Sequence, residues 1–299
     1  MSNGPAGHVA RSTVRPHSET TRRTPLRTFL HTGDGVSVDS VYDPAAVVYD
    51  SSRPPAGDLV FVVAHGFTGD VDRPHVRRVV EAFTRYGAVV TFSFRGHGAS
   101  GGRSTVGDRE VLDLAAAVRW ARELGHTRVV TVGFSMGGSV VLRHAALYRP
   151  EGEEREGCEG YEGCEGRAGA HTDVVVSVSA PARWYYRGTA PMRKLHWLVT
   201  RPEGRLVGRY GFRTRIHHRE WNPVPLSPVE AVPRIAPTPL LIVHGDRDGY
   251  FPLDHPRMLA EAAGGHGELW LEPGMGHAEH AADDKLLARI GDWAGAQGG

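Results

Sequence analysis

Six short apolar runs, separated by stretches of helical periodicity, constrain this chain more than any other feature. They are Leu59 to Ala64, Ala88 to Phe94, Val129 to Val132, Val174 to Val178, Leu240 to Val243 and Glu268 to Leu271. Continuous apolar runs of this length suit strands buried on both faces, the condition met in parallel sheets. Between them, Val76, Val79, Val80 and Phe83 recur at helical spacing, as do Val111, Leu114, Ala115 and Val118, with Asp108 as the expected N-cap. Further helices are expected from Met136 to about Leu147, stopping before Pro150, and over roughly Pro256 to Ala263 and Ala281 to Ala294. Two earlier strands, Leu26 to His31 and Val36 to Val41, flank the turn signal Gly33-Asp34-Gly35. Strands alternating with helices imply an α/β fold: a mostly parallel central sheet flanked by helices.

Two segments break the rhythm. Residues 151–170 hold E-G-C-E-G twice and are rich in Gly and Glu, which reads as a flexible insertion inside the core. The two cysteines, Cys158 and Cys164, lie there and make neither a disulfide framework nor a zinc-ligand set, so no metal or other cofactor is expected. Residues 182–237 carry Trp184, Tyr185, Tyr186, Trp197, Tyr210, Phe212 and Trp221 among many arginines. That stretch is too long and too aromatic for a plain loop and is expected to form a small cap. The core then comprises residues 25–181 and 238–299, preceded by a disordered basic tail over 1–24. The tail lacks the apolar run of a secretory signal, and no stretch approaches the ~20 apolar residues that span a membrane; the expectation is a cytoplasmic protein without a transmembrane segment. A formal net charge of +1 argues against nucleic acid as a partner.

The chemistry is carried by short motifs at strand ends. Ser135 stands in G-F-S-M-G, between the run Val129 to Val132 and the helix from Met136. A sharp strand-to-helix turn presents such a serine above the sheet edge, and the small flanking residues Gly133 and Gly137 let neighbouring chain approach. The pentapeptide alone is weak in a chain with 38 glycines; its strand-turn-helix setting gives it weight. A serine hydroxyl needs a base. Among 17 histidines, His277 in G-M-G-H directly follows the last strand, whereas its rival His280 falls where a helix begins. The base needs an orienting acid, and the run Leu240 to Val243 leads into H-G-D-R-D, which offers Asp246 and Asp248. An oxyanion needs preset donors. Met136 supplies one backbone N–H, and the turn His65-Gly66-Phe67-Thr68-Gly69 supplies the other, at Phe67.

Taken in order, H-G-F-T-G, R-G-H-G-A-S (Arg95 to Ser100), G-F-S-M-G-G, H-G-D-R-D and G-M-G-H resemble the α/β-hydrolase superfamily. The likeness is nearest to its esterase, monoacylglycerol-lipase-like and serine-aminopeptidase-like branches, and extends over about residues 25 to 295 apart from the insertion and the cap. The resemblance implies an α/β-hydrolase fold with a small cap insertion and a chain order of nucleophile, acid, base. It also implies the spacing H-G-x-x-D, which selects Asp248. The R-G-H-G segment is then a structural turn beside the site, and His97 is not catalytic. Ser93 and Phe134 depart from the family's common Asp and His or Tyr; neither position belongs to the triad. A serine at the elbow sets the chain apart from the haloalkane-dehalogenase and epoxide-hydrolase branches, which carry Asp there.

The function expected from these residues is a serine hydrolase. It would cleave an ester or related acyl bond of a small molecule through Ser135, His277 and Asp248 and an acyl-enzyme. The same residues also suit an acyltransferase, a thioesterase or a cofactor-free haloperoxidase, and the fold can be kept as a non-catalytic binding protein. The basic, aromatic cap reads in two ways: as a pocket for an acyl group flanked by a carboxylate or phosphate, or as a solvated cap whose arginine stems shield its rings.

Overall fold

The computed structural model describes residues 24–46, 58–149 and 169–297. The tail expected over 1–24 and the Gly/Glu-rich insertion, with both cysteines, fall almost wholly outside the described residues. Strands β1 (Leu26–His31) and β2 (Ser37–Asp43) form the antiparallel hairpin that the Gly-Asp-Gly turn announces. Strand β2 runs antiparallel to β4 (Ala88–Phe92). From there β3 (Leu59–Ala64), β5 (Arg128–Phe134), β6 (Val174–Val178), β7 (Leu240–Gly245) and β8 (Gly267–Glu272) continue in parallel. The eight-stranded sheet has the order β1-β2-β4-β3-β5-β6-β7-β8.

The two-residue period of a strand splits each apolar run between two layers. Val60, Val62 and Ala64 pack with α2 (Glu110–Glu123), α3 (Met136–Leu147) and α7 (Asp254–Ala262) on one face. Phe61 and Val63 pack with α1 (Pro74–Phe83) and α9 (Asp284–Ala296) on the other. Both faces of the central strands are therefore covered, which is why they read as unbroken apolar runs. Strand β8, at the edge, has no fully buried residue, and its sequence mixes Glu with Leu and Trp accordingly.

Three expectations need correction. Strand β4 ends at Phe92, not Phe94, because the Ser93 N–H turns to the Asp39 carbonyl and the Phe94 N–H donates to His65 Nε2. Asp108 does not cap α2; the N-cap is Arg109, without a side-chain cap, and the Asp108 carboxylate faces the buried Arg143 guanidinium at 3.5 Å. The C-terminal helix divides into α8 (Ala278–Ala281) and α9, since Asp283 accepts the Leu286 N–H at 2.8 Å and starts a new helix. The stretch between β6 and β7 is helical, with α4 (Ala190–Thr200), α5 (Pro202–Gly211) and the short α6 (Pro228–Ala231). Backbone bridges His97 to Thr214 and Ser104 to Ile216 join this stretch to the loop after β4.

The core also buries neutral histidines. Burial, aided by neighbouring positive or titratable groups, pushes His65 and His144 down to about 3 and His97 to about 4. The unfolded chain takes up these protons near pH 6.5, whereas the folded chain does so only far below it. Unfolding therefore binds protons in the interval, and stability falls as pH drops from about 6.5 toward 4. Each histidine contributes up to about 1.4 kcal/mol per pH unit. Urea denaturation should show a lower midpoint at about pH 5 than at about pH 7; equal midpoints would contradict this account.

Candidate functional site

The β5–α3 turn places Ser135 at φ 52°, ψ −113°, a conformation that costs a non-glycine residue about 1–3 kcal/mol and persists only when its surroundings enforce it. The enforcement is close backbone packing. A Cβ on Gly133 would lie 2.1 Å from the Gly137 carbonyl oxygen, and one on Gly137 would lie 2.2 Å from the Ala64 carbonyl oxygen. The ends of β3 and β5 and the first turn of α3 thus meet at a distance that only glycine permits. The Ser135 N–H donates to the Val178 carbonyl, which fixes the elbow to β6 as well.

Three of the residues singled out from sequence come together here. The Ser135 hydroxyl and His277 Nε2 are 2.8 Å apart, and His277 Nδ1 lies 2.7 Å from Asp248 Oδ2. A carboxylate only accepts, so Nδ1 carries the ring proton and Nε2 is left to accept the proton of the serine hydroxyl. Burial works to raise Asp248, but the hydrogen bond from His277, its charge, and the N–H groups of Phe251 and Tyr250 bring the carboxyl below its ordinary value. Those N–H donors reach Asp248 Oδ1 at 3.1 and 2.8 Å. Asp246 instead accepts the Gly274 N–H at 2.6 Å. Tyr250 stacks on the His277 ring at 4.2 Å, and Phe251 meets it edge-on at 5.6 Å. The loop carrying His277 is tied to the end of β6, where Ser179 Oγ accepts the Ala278 N–H at 3.1 Å.

His280 takes no part in this arrangement, because its ring lies against His75 at 3.8 Å. His97 is fully buried, with Nδ1 at 3.1 Å from the Arg95 carbonyl and its ring edge-on to Phe67. Arg95 itself is a buried clamp, holding Asp113 and Asp34 through side-chain bonds of 2.7–3.0 Å. Phe67 and Met136, expected as backbone donors, both line the cavity above Ser135, and Met136 opens α3, where an N–H has no partner inside the helix.

Two glutamates that build the site escape a reading of motifs. Glu279 is buried and its Oε1 accepts the Gly66 N–H at 3.0 Å, so the loop bearing His277 grips the turn bearing Phe67. His65 grips the same turn from the other side, with Nδ1 at 2.7 Å from the Gly66 carbonyl and Nε2 accepting from Phe94. Glu110, also buried, accepts the N–H groups of Thr105, Val106 and Gly107 and the Thr105 hydroxyl, and so shapes the loop 104–107. Nothing local marks either residue. Their partners lie far off in the chain or in an irregular loop, although the i, i+2 spacing from His277 to Glu279 was visible.

Residues 59–290 match the model of the Alpha/beta hydrolase family. The chain belongs to that family. This α/β hydrolase is 27% identical over 255 residues to the monoacylglycerol lipase of Mycolicibacterium smegmatis, covering 77% of this chain and 85% of the relative. Its fold is similar to that of the esterase Pf2001 of Pyrococcus furiosus, with a TM-score of 0.63 at 22% identity over 90% of this chain and 91% of the other. It is also similar to the esterase domain of a Rhodothermus marinus protein, with a TM-score of 0.58 at 19% identity over 91% and 97% of the two chains. Among the described residues of this α/β hydrolase, no helix is long and apolar enough to cross a membrane.

The packing at the elbow and the Glu279 grip make two stability predictions. Gly137→Ala should destabilise the fold by about 1–3 kcal/mol or more, since backbone and not a flexible side chain must yield. Glu279→Ala should cost about 1–3 kcal/mol by stranding the Gly66 N–H, and Glu279→Gln, which keeps an acceptor oxygen, should cost less. Chemical denaturation of the three variants measures both, and a Gly137→Ala protein of native stability would refute the packing argument.

Proposed function

We propose that this α/β hydrolase is a serine esterase acting on a small acyl compound, with Ser135 as nucleophile, His277 as general base and Asp248 as the orienting acid. The single observation that carries the reading is the continuous hydrogen-bonded path from the Ser135 hydroxyl through both ring nitrogens of His277 to Asp248, at 2.8 and 2.7 Å. As Ser135 Oγ attacks the carbonyl, Nε2 takes its proton, and the Asp248 carboxylate stabilises the imidazolium that forms. The oxyanion is received by the backbone N–H groups of Met136 and Phe67. His277 then delivers the proton to the departing alcohol, and water clears the acyl-enzyme by the same route in reverse. The positive φ of Ser135 aims its hydroxyl into the cavity that Phe67 and Met136 also line.

The likeness to a mycobacterial monoacylglycerol lipase supports ester bonds as the class cleaved.

Ser135→Ala should remove hydrolysis of a short p-nitrophenyl ester and labelling by a fluorophosphonate, with the circular dichroism spectrum unchanged. Asp248→Asn should lower kcat by about 10²–10⁴, because the amide favours the wrong imidazole tautomer. Substantial turnover by Ser135→Ala would overturn the assignment of the nucleophile, and an Asp248→Asn enzyme with undiminished kcat would overturn that of the acid.

A further inference from the structure

The space above Ser135 is a cavity of about 260 Å³, walled largely by the segment between β6 and β7. Its apolar lining includes a cluster of rings: Trp184 and Tyr185 pack on Trp221 at 5.1 and 5.5 Å, and Phe67 and Phe251 line it too, beside aliphatic residues such as Leu195 and Val199. A wall of rings alone would suit a hydrocarbon chain. This cavity is different, because Arg183, Arg187, Arg205 and Arg219 line it against a single acid, Glu220.

One of these arginines is already neutralised, since Arg183 pairs with Asp254 at 2.9 Å. The others form no ion pair among the described residues. Arg205 is held in place through one terminal nitrogen, which donates to the Thr200 carbonyl at 2.9 Å and the Val199 carbonyl at 3.4 Å. Its second terminal nitrogen has no protein acceptor among the described residues. His217, His218, Arg205 and Arg219 line this cavity together, and the His218 imidazolium is disfavoured first by slight desolvation and then by the charges of His217, Arg219, Arg103 and Arg205. Ser139, 1% exposed and one helical turn beyond Ser135, also lines the cavity, with a buried hydroxyl that has no hydrogen-bond partner among the described residues.

We infer that the compound cleaved at Ser135 is a small acid: an acyl ester bearing a carboxylate or phosphate group remote from the scissile carbonyl, received by Arg205 and Arg219. The inference rests on the esterase reading above and adds the substrate class. Guanidinium groups bind carboxylate and phosphate oxygens through paired N–H donors, and such charge-assisted contacts are about twice as strong as neutral hydrogen bonds. The aromatic wall takes the apolar segment between the ester and the anion. Three arginines without an ion-pair partner among the described residues, set against one glutamate, are the arrangement expected where the ligand supplies negative charge.

The test compares pairs with the same acyl chain length, one member bearing the anionic group and the other lacking it. In one arm the p-nitrophenyl half-ester of adipic acid is set against p-nitrophenyl hexanoate. In the other, 1-hexanoylglycerol 3-phosphate is set against 1-hexanoylglycerol. The expected result is a kcat/KM at least about tenfold higher for the anionic member of at least one pair at low ionic strength. That ratio should shrink at 1 M salt, where the Debye length is about 3 Å. Preference in the first arm identifies a carboxylate, and in the second a phosphate. Arg205→Gln and Arg219→Gln should each lower the anionic-to-neutral ratio by about tenfold, chiefly through KM, and Arg205→Lys should restore part of it. Because the ratio is internal to each variant, a general loss of folded enzyme leaves it unaltered. If both pairs turn over with ratios near one and the Arg→Gln variants leave them there, the anion inference is overturned while the esterase reading stands. If no ester turns over and Ser135 takes no fluorophosphonate label, the esterase reading fails and this inference falls with it.

Discussion

The site depends on one steric constraint: three backbone segments meet where a Cβ cannot fit. Gly133 at the end of β5, Gly137 in the first turn of α3 and the carbonyl of Ala64 at the end of β3 approach so closely that a methyl group at either glycine would lie about 2 Å from a carbonyl oxygen. Ser135, between the two glycines, has no room to relax its positive φ, and its hydroxyl is directed out of the sheet edge. Were the elbow looser, the serine would lose its 2.8 Å contact with His277, and the turn of Phe67, which follows Ala64 by three residues, would lose its position relative to Met136.

From that junction the rest is built by loops at the same end of the parallel strands. Asp248 follows β7, His277 follows β8, and the Phe67 turn follows β3. Parallel strands bring all of these loop ends to one side. The loops are then fastened to one another by buried polar groups as well as by apolar and ring packing. Glu279 reaches from the His277 loop to Gly66, Ser179 holds Ala278, His65 spans the Gly66 carbonyl and the Phe94 N–H, and Glu110 gathers the loop 104–107. Such groups are costly when left unpaired, so each one fixes its loop within narrow limits.

The segment between β6 and β7 obeys different rules. Its helix α5 leaves Leu206, Val207 and Tyr210 exposed, and its arginines outnumber its acids where it faces the cavity. Where the sheet and its helices enclose charges in pairs, as with Arg95 between Asp34 and Asp113, this segment leaves Arg205 and Arg219 without a carboxylate partner among the described residues. Paired charge serves the fold, and unpaired charge in a cavity is available to a ligand.

Much of this architecture was legible in the sequence. Burial on both faces of a central strand forces an unbroken apolar run, so β3 through β7 announced themselves, and the elbow's glycines stood out because sterics leave no substitute. Ser135 and His277 could be picked out by their place at strand ends. Where physical causes were non-local, the sequence was silent or misleading. Asp108 looked like a helix cap but answers to Arg143, a residue of another helix. The strand expected to reach Phe94 stops two residues early because a histidine from another loop takes its N–H. Asp246 and Asp248 were alike as turn residues, and only the spacing implied by the family resemblance favoured Asp248, which the fold sets beside His277. The sequence by itself thus determined the sheet, its layers and the identity of the candidate nucleophile, since periodicity and excluded volume act within a few residues of the chain. Only the tertiary structure decided which carboxylates hold the loops and which arginines stay unpaired, because a hydrogen bond or an ion pair is settled by distance in space and not by separation along the chain.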